Sequence, residues 1–441
     1  MTASSVFYRR PPRWQYPEVV RGQGVYLYDK DGKRYLDACG GALVVTIGHG
    51  VTEVADAVAR QLEQLAYIHG TEFTSPPVEA LARELARRAP MDEAKLYLVS
   101  GGSEATETAI KLARQCQLAR GEARRYKVVH RWPSYHGASL GALAVSGRPQ
   151  LRHSFAPILP VMPHIPAPYP YRCGLRGCGP VCSLACAEAL DATIRIEGLE
   201  TVAAFIFEPV VGASAGAVVP PPDYHRMVAE ICRRHGVLLI ADEVMSGMGR
   251  TGKWFGIEHW PGVRPDIITC GKGLTSGYVP GGAVLVKGEI AETVRTTTGF
   301  PHGFTYSHNP VAAAAALAVL GYVERHGLVA RAHAMGEHLM TRLQGLLDLP
   351  AVGEVRGLGL LTAVEIVSDR ATRASYPAGE HMAEKIQAEA LRRGVVVYAS
   401  GGQDADAGDL ILVGPPFTIE PAQIDEAVAT LGDAISAVTR R

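Results

Sequence analysis

The sequence predicts an α/β protein: a large domain on a mostly parallel sheet, joined to a smaller α+β domain. Three observations carry that expectation. Short apolar runs at 96–99, 126–129, 202–207, 237–241, 267–270 and 283–286 have helical stretches between several of them, the alternation of a parallel sheet covered by helices. Beyond residue 310 the pattern changes to two alanine- and leucine-bearing helices followed by scattered short strands, as in a smaller mixed domain. With 441 residues, 47% of them hydrophobic, the chain has material for two or three domains and a large core.

The elements follow in order. Residues 24–37 are two aromatic-rich runs around Asp31-Gly32, a hairpin signal, and a glycine-rich patch follows at Gly40-Gly41 and Gly48-His49-Gly50. Helical spacing runs over 54–66 and again over 77–88, the second after a Ser-Pro-Pro start. The six apolar runs come next. Helices are then expected at 311–323 and 335–347, strands at 360–366, 395–398 and 410–413, a helix at 380–393 and a closing helix at 421–438. These boundaries divide the chain into an N-terminal segment 1–60 packing with the small domain, a large domain 61–320 and a small domain 321–441.

Charge excludes some functions. Lys and Arg number 44 and so do Asp and Glu, which leaves no bulk field for nucleic acid or an anionic membrane. The first ten residues lack an apolar signal core, and no apolar stretch approaches the roughly 20 residues of a membrane helix, so the expected compartment is the cytoplasm. Cys173, Cys178, Cys182 and Cys186 crowd together, but their gaps differ from paired C-x2-C units, and the last three could lie along one helix. Reduced loop cysteines are the expectation, with no metal; a zinc knuckle is the alternative.

The residues that suggest chemistry each fall just after an apolar run, where the ligand crevice of an open α/β sheet lies. Ser100-Gly101-Gly102-Ser103-Glu104-Ala105-Thr106 opens a helix, and its glycines, free amides and hydroxyls suit a phosphate; the structural alternative is a capped helix start through Ser103 and Thr106. Tyr135-His136-Gly137 offers a ring that could stack on a flat cofactor, or is a surface loop. Glu208 could pair with a substrate ammonium or an internal arginine, or hold a loop. Asp242 ends a buried run and needs a partner, such as a protonated pyridine nitrogen, unless it caps the turn that follows. Lys272 sits between Gly271 and Gly273, where desolvation would favour the neutral amine that forms a Schiff base; alone it would be a solvated loop lysine.

Taken together, the Asp29 to Gly32 hairpin, Gly102-Ser103-Glu104-Ala105, Tyr135-His136-Gly137, Glu208-Pro209, Asp242-Glu243-Val244 with Gly249-Arg250-Thr251-Gly252, Gly271-Lys272-Gly273 and Gly303-Phe304-Thr305-Tyr306-Ser307 resemble the class III pyridoxal-phosphate aminotransferases of fold type I, the omega-transaminase-like enzymes, over essentially the whole chain. The resemblance implies pyridoxal 5'-phosphate as cofactor, with Lys272 as Schiff-base lysine and proton shuttle and Asp242 as partner of the ring nitrogen. It places Val244 and Tyr135 on the two ring faces, Gly102 and Ser103 at the phosphate, and His136 and Glu208 near the cofactor. It also implies that Thr305 reaches the phosphate of a neighbouring subunit, hence a homodimer with shared active sites. Leu43, Tyr135 and Ala213, and more weakly Phe73, would line the substrate pocket, and Leu43 in place of a bulky aromatic would admit larger apolar amines.

The implied activity is a ping-pong exchange between an amine or amino acid donor and a keto acid or aldehyde acceptor. The alternatives are a racemase or decarboxylase on the same fold, and a non-catalytic ligand-binding protein on an aminotransferase scaffold. Three positions depart from the family pattern: Val211 stands where Gln is frequent, His308-Asn309-Pro310 replaces Gly-His-Pro, and residues 398–402 carry no arginine for a substrate carboxylate.

Overall fold

The computed structural model describes residues 6, 16–175, 178, 182–404 and 407–440. Most of the first ten residues, read above for a signal core, and part of the segment between Cys173 and Cys186 lie outside them.

A seven-stranded sheet forms the centre, in the order Lys95–Val99, Gly282–Val286, Ile267–Cys270, Leu238–Asp242, Val202–Phe207, Lys127–Trp132 and His164–Pro166. Gly282–Val286 runs antiparallel to both of its neighbours, and the other four pairings are parallel. The two antiparallel pairings cancel, so Lys95–Val99 points the same way as the parallel strands, and its end opens on the same edge. Val202–Phe207, Leu238–Asp242 and Ile267–Cys270 are buried at every position, because helices cover both faces. Helix Gly102–Ala119 packs Ala105, Ala109 and Leu112 on one face of this sheet, beside Val128, Ile206 and Ile240.

The hairpin is present: Tyr26–Asp29 pairs with Arg34–Asp37, and Gly32 takes the left-handed turn position while Asp29 Oδ1 accepts from the amides of Asp31 and Lys33 at 3.0 and 2.8 Å. Val19–Gln23 adds a third strand, and Val395–Val396 pairs in parallel with Arg34–Asp37 on the other side. A four-stranded antiparallel sheet contains Val352–Leu358, Leu361–Ile366, Ala407–Val413 and Tyr398–Asp404 in that order. Helices Leu328–Gln344, Met382–Arg392 and Pro421–Thr439 cover it, and their apolar faces share a core with Val25, Leu36 and Ile47 of the N-terminal segment.

Some expectations need correction. The single strand expected at 395–398 is two strands that serve different sheets, divided at Val397. Val352–Leu358, His164–Pro166 and Val19–Gln23 were not foreseen. Cys178, Cys182 and Cys186 do not share a helix: it starts at Ala185, after Leu184 in the left-handed region, and takes in Cys186 alone. Among the described residues no group of three or more His, Cys, Asp or Glu side chains is placed to hold a metal ion.

Candidate active site

The ends of five sheet strands pointing one way bring the predicted motifs to one edge. Gly102, Ser103, Tyr135, His136, Glu208, Ala213, Asp242, Val244 and Lys272 line a single cleft of about 190 Å³ there, with Gly137 and Met245. The sheet register explains the depth of the site: Asp242 ends the central strand opposite Thr269 of the next.

The Asp242 carboxylate is buried, so it must be answered by donors. Oδ1 accepts from the Val244 amide at 3.0 Å and from Thr269 Oγ1 at 3.1 Å, and Oδ2 accepts from His136 Nδ1 at 2.6 Å. One oxygen therefore steadies the local turn, and the other is held from across the fold, which a turn-capping aspartate would not need. Because the carboxylate accepts, His136 Nδ1 carries the hydrogen, and His136 Nε2 is left buried without a partner. The His136 backbone is fixed as well: its amide donates to Ser146 Oγ and its carbonyl accepts from Thr106 Oγ1.

Lys272 follows the Ile267–Cys270 strand after Gly271 and takes a left-handed φ of 44°. Burial lowers its amine to about 8; the carboxylates of Asp242 and Glu208 act in the opposite direction, and the charges of Arg250 and Arg148 assist the lowering. A Cβ on Gly271 would lie 3.4 Å from the Gly102 amide nitrogen and 3.3 Å from Val244 Cγ1, so the lysine loop rests on the loop that opens helix Gly102–Ala119.

At that helix start neither Ser103 nor Thr106 caps. Ser103 Oγ accepts from the Ala138 amide at 3.1 Å, and Thr106 Oγ1 donates to His136 O at 2.7 Å. Glu104 alone reaches back, accepting from the Ser100 amide at 2.8 Å. The first helical turn leaves N–H groups without intrahelical partners, and the helix dipole favours an anion beside them. Gly102 has no room for a side chain, since a Cβ there would meet Val244 Cγ1 at 2.9 Å. Gly137, at φ 143°, would press a Cβ on Ser103 Oγ at 2.7 Å.

Glu208 proves to be a loop holder that also faces the cleft. Its Oε1 accepts from the Tyr135 amide at 3.1 Å and its Oε2 from the Gly212 amide at 2.6 Å, while burial raises its carboxyl above the ordinary range. Arg131, beneath it, donates to its backbone carbonyl rather than to its carboxylate.

Three sequence-predicted residues lie off this cleft. Leu43, expected on the pocket wall, is 1% exposed and belongs to the large core. Its left-handed φ, after the kinked Gly41, turns the side chain inward against Gly414. Thr305 is exposed, with its carbonyl accepting from Tyr67 Oη at 3.0 Å, and Phe73 is exposed too. Residues that sequence reading passed over include Thr269, hidden within the run Ile267-Ile268-Thr269-Cys270, and Met245 and Arg148; a polar residue aligned with Asp242 on a neighbouring strand was the available signal for the first.

Residues 11–435 match the family model for aminotransferase class-III. The chain is 40% identical over 428 residues to the uncharacterized aminotransferase YodT of Bacillus subtilis, covering 96% of each chain. It is 35% identical to the putrescine–pyruvate aminotransferase of Pseudomonas aeruginosa, covering 93% of this chain and 88% of that one. A thermostable (S)-enantioselective omega-transaminase from Thermomicrobium roseum has a similar solved structure, with a TM-score of 0.91, 41% identity and coverage of 98% and 97% of the two chains.

Proposed function

The chain belongs to the class III aminotransferases, enzymes of fold type I that use pyridoxal 5'-phosphate, and we propose that Lys272 and Asp242 carry their chemistry here. Such an enzyme moves an amino group from an amine or amino acid donor to a keto acid or aldehyde acceptor. The observation that carries the residue assignment is the meeting of a desolvated lysine amine and a buried, oriented carboxylate on one cleft.

The residues present fit the cofactor. Gly102 and Ser103 would hold its phosphate at the helix start, Val244 and Tyr135 would flank its ring, and Asp242, steadied by His136, would meet the ring nitrogen. The missing side chains of Gly102 and Gly137 keep the backbone walls close enough for that cradle. When bound, pyridoxal phosphate supplies the carbonyl carbon that takes the amino group and a ring that withdraws electrons from the reacting carbon.

Lys272 Nζ, its basicity lowered by burial, would take a proton from the substrate carbon as a general base and, as a general acid, deliver it to the cofactor carbon that keeps the amino group. The Asp242 carboxylate favours positive charge on the group it faces. Glu208 keeps the Tyr135 and Gly212 loops in register around the cleft. Thr305, exposed and away from its own cleft, would serve the cleft of a second copy, in a homodimer with shared active sites. No described helix is long and apolar enough to cross a membrane, and the balanced charge offers no field for a nucleic-acid partner; the proposed compartment is the cytoplasm.

The experiment treats the loaded protein with borohydride and maps the modified peptide, then supplies pyruvate with a panel of amines. Cofactor fixed on the Lys272 peptide and alanine formed with at least one donor are expected. Fixation at another lysine, or racemised or decarboxylated donor without alanine, would overturn the reading.

A further inference from the structure

Arg148 is 8% exposed, yet no carboxylate meets it among the described residues. Its Nη2 donates to Ser400 Oγ at 2.8 Å, and its Nε is buried without a partner. Ser400 Oγ donates in turn to the Ala213 carbonyl at 2.5 Å, so the hydroxyl proton is engaged and a lone pair faces the guanidinium. Arginine stays charged at any physiological pH, and among the described residues this buried charge is held by a neutral hydroxyl and meets no counter-charge.

Other buried arginines are more fully answered within the fold, although Arg250 Nε, like Arg148 Nε, is buried without a partner. Arg250 donates to the carbonyls of Val45, Leu360, Gly414 and Pro415, and Arg356 pairs with Glu354 and Glu365. Arg131 also has unpaired nitrogens, but it is 0% exposed and lies within 6 Å of the ring centroids of Phe207 and Tyr224, at 5.7 and 5.9 Å, where no ligand reaches. Arg148 differs in position: its guanidinium carbon is 6.0 Å from the centroid of Tyr135, and both Tyr135 and Ala213 line the cleft. Its charge is felt by the Lys272 amine. The strand Tyr398–Asp404, which supplies Ser400, carries no arginine of its own.

We propose that Arg148, held in place by Ser400, is the anchor for the substrate carboxylate, binding keto acid acceptors and amino acid donors at the Tyr135 and Ala213 side of the cleft. The inference rests on the reading of that cleft as an aminotransferase site. It gives the guanidinium an anion that no described residue supplies, and the planar fork matches a carboxylate in two hydrogen bonds. Substrates without a carboxylate leave Arg148 on Ser400.

The test uses holoenzyme carrying Arg148→Gln and, separately, Arg148→Lys. Propionate, a carboxylate that cannot react, is titrated into each by calorimetry, and KM is measured for pyruvate and for a carboxylate-free aldehyde with one carboxylate-free amine donor. In Arg148→Gln, propionate affinity should fall and pyruvate KM rise by about tenfold or more, with aldehyde KM within about twofold of wild type. Arg148→Lys, which keeps the charge without the fork, should fall between and covers the case in which the glutamine variant does not fold. Equal losses for pyruvate and aldehyde would reduce Arg148 to a structural tie and overturn the proposal, as would unchanged propionate binding. An inactive wild-type protein would instead overturn the aminotransferase reading beneath it.

Discussion

Lys272 holds its amine in the cleft from a left-handed backbone position that costs a non-glycine residue about 1–3 kcal/mol. The surrounding loops must therefore impose it, and Gly271 packed on Gly102 and Val244 is how they do so. Below about pH 8 the amine is protonated and cannot attack a carbonyl; above it the free base dominates. The rate at which apoprotein takes up pyridoxal phosphate should accordingly rise as pH passes through about 8, and a flat rate between pH 7 and 9 would contradict the burial argument. Lys272→Ala should lower kcat by about 10²- to 10⁴-fold or more, the range for loss of a positioned acid–base group, with Tm little changed. The lysine was legible in sequence because glycines flank it after an apolar run. The hydrogen bond from His136 to Asp242 was not, because the two are 106 positions apart and only the sheet brings them together. Leu43 misled for a related reason: a family position can be aligned, but the side-chain direction set by a left-handed φ after Gly41 is not written in the residue name.

The turn that leaves the central strand is fixed by Glu243, which accepts from Ser246 Oγ and from the amides of Gly256 and Ile257, and so ties Leu238–Asp242 to the short helical turn Gly256–His259. Burial outweighs those donors and raises its carboxyl to about 7. The folded protein keeps a proton here that the unfolded chain releases from pH 4.5 upward. This contribution to stability is thus complete below 4.5 and lost as pH rises through about 7. Glu243→Gln should remove that slope, so that the Tm of the variant changes less between pH 5 and 8 than that of the wild type. The variant should also lose about 1–3 kcal/mol at every pH, because one of its amide hydrogens must face a backbone N–H. A wild-type slope retained in the variant would assign the effect to another group. Legibility varied among elements in the same physical terms. Val202–Phe207, Leu238–Asp242 and Ile267–Cys270 are buried on both faces, so each reads as an unbroken apolar run. Val352–Leu358 is half-buried at most of its positions and carries Gly353, Glu354, Arg356 and Gly357, which break any alternation. His164–Pro166 is a three-residue edge strand, where proline is tolerated, inside a segment that reads as a loop.

At the scale of the whole molecule, the proposed homodimer turns on Thr305 and the exposed aromatics Tyr67 and Tyr306 beside it. Tyr306 is 60% exposed and Phe73 67%, and Tyr67 stacks edge-on against Tyr306 while its hydroxyl holds the Thr305 carbonyl. No single-chain sequence pattern distinguishes such aromatics from ordinary surface, which is why the resemblance, and not periodicity, suggested a partner. If Thr305 completes the phosphate site of a second copy, each cleft takes Lys272 from one chain and Thr305 from the other. Thr305→Glu would then place a like charge beside the phosphate and weaken cofactor binding, though the exposed position should leave folding intact. Lys272→Ala is inactive through the other half of the site. When the two variants are co-expressed, half of randomly formed dimers are mixed, and in each of these one cleft combines the intact Lys272 with the intact Thr305. Activity should return to about one quarter of the wild-type value, although both parents alone are nearly inactive. If every cleft were built from one chain, no dimer could contain an intact pair, and the co-expressed protein would show only the average of its parents. Two different affinity tags isolate the mixed dimer, whose activity should be about half that of the wild type, and an inactive mixed dimer would refute shared sites.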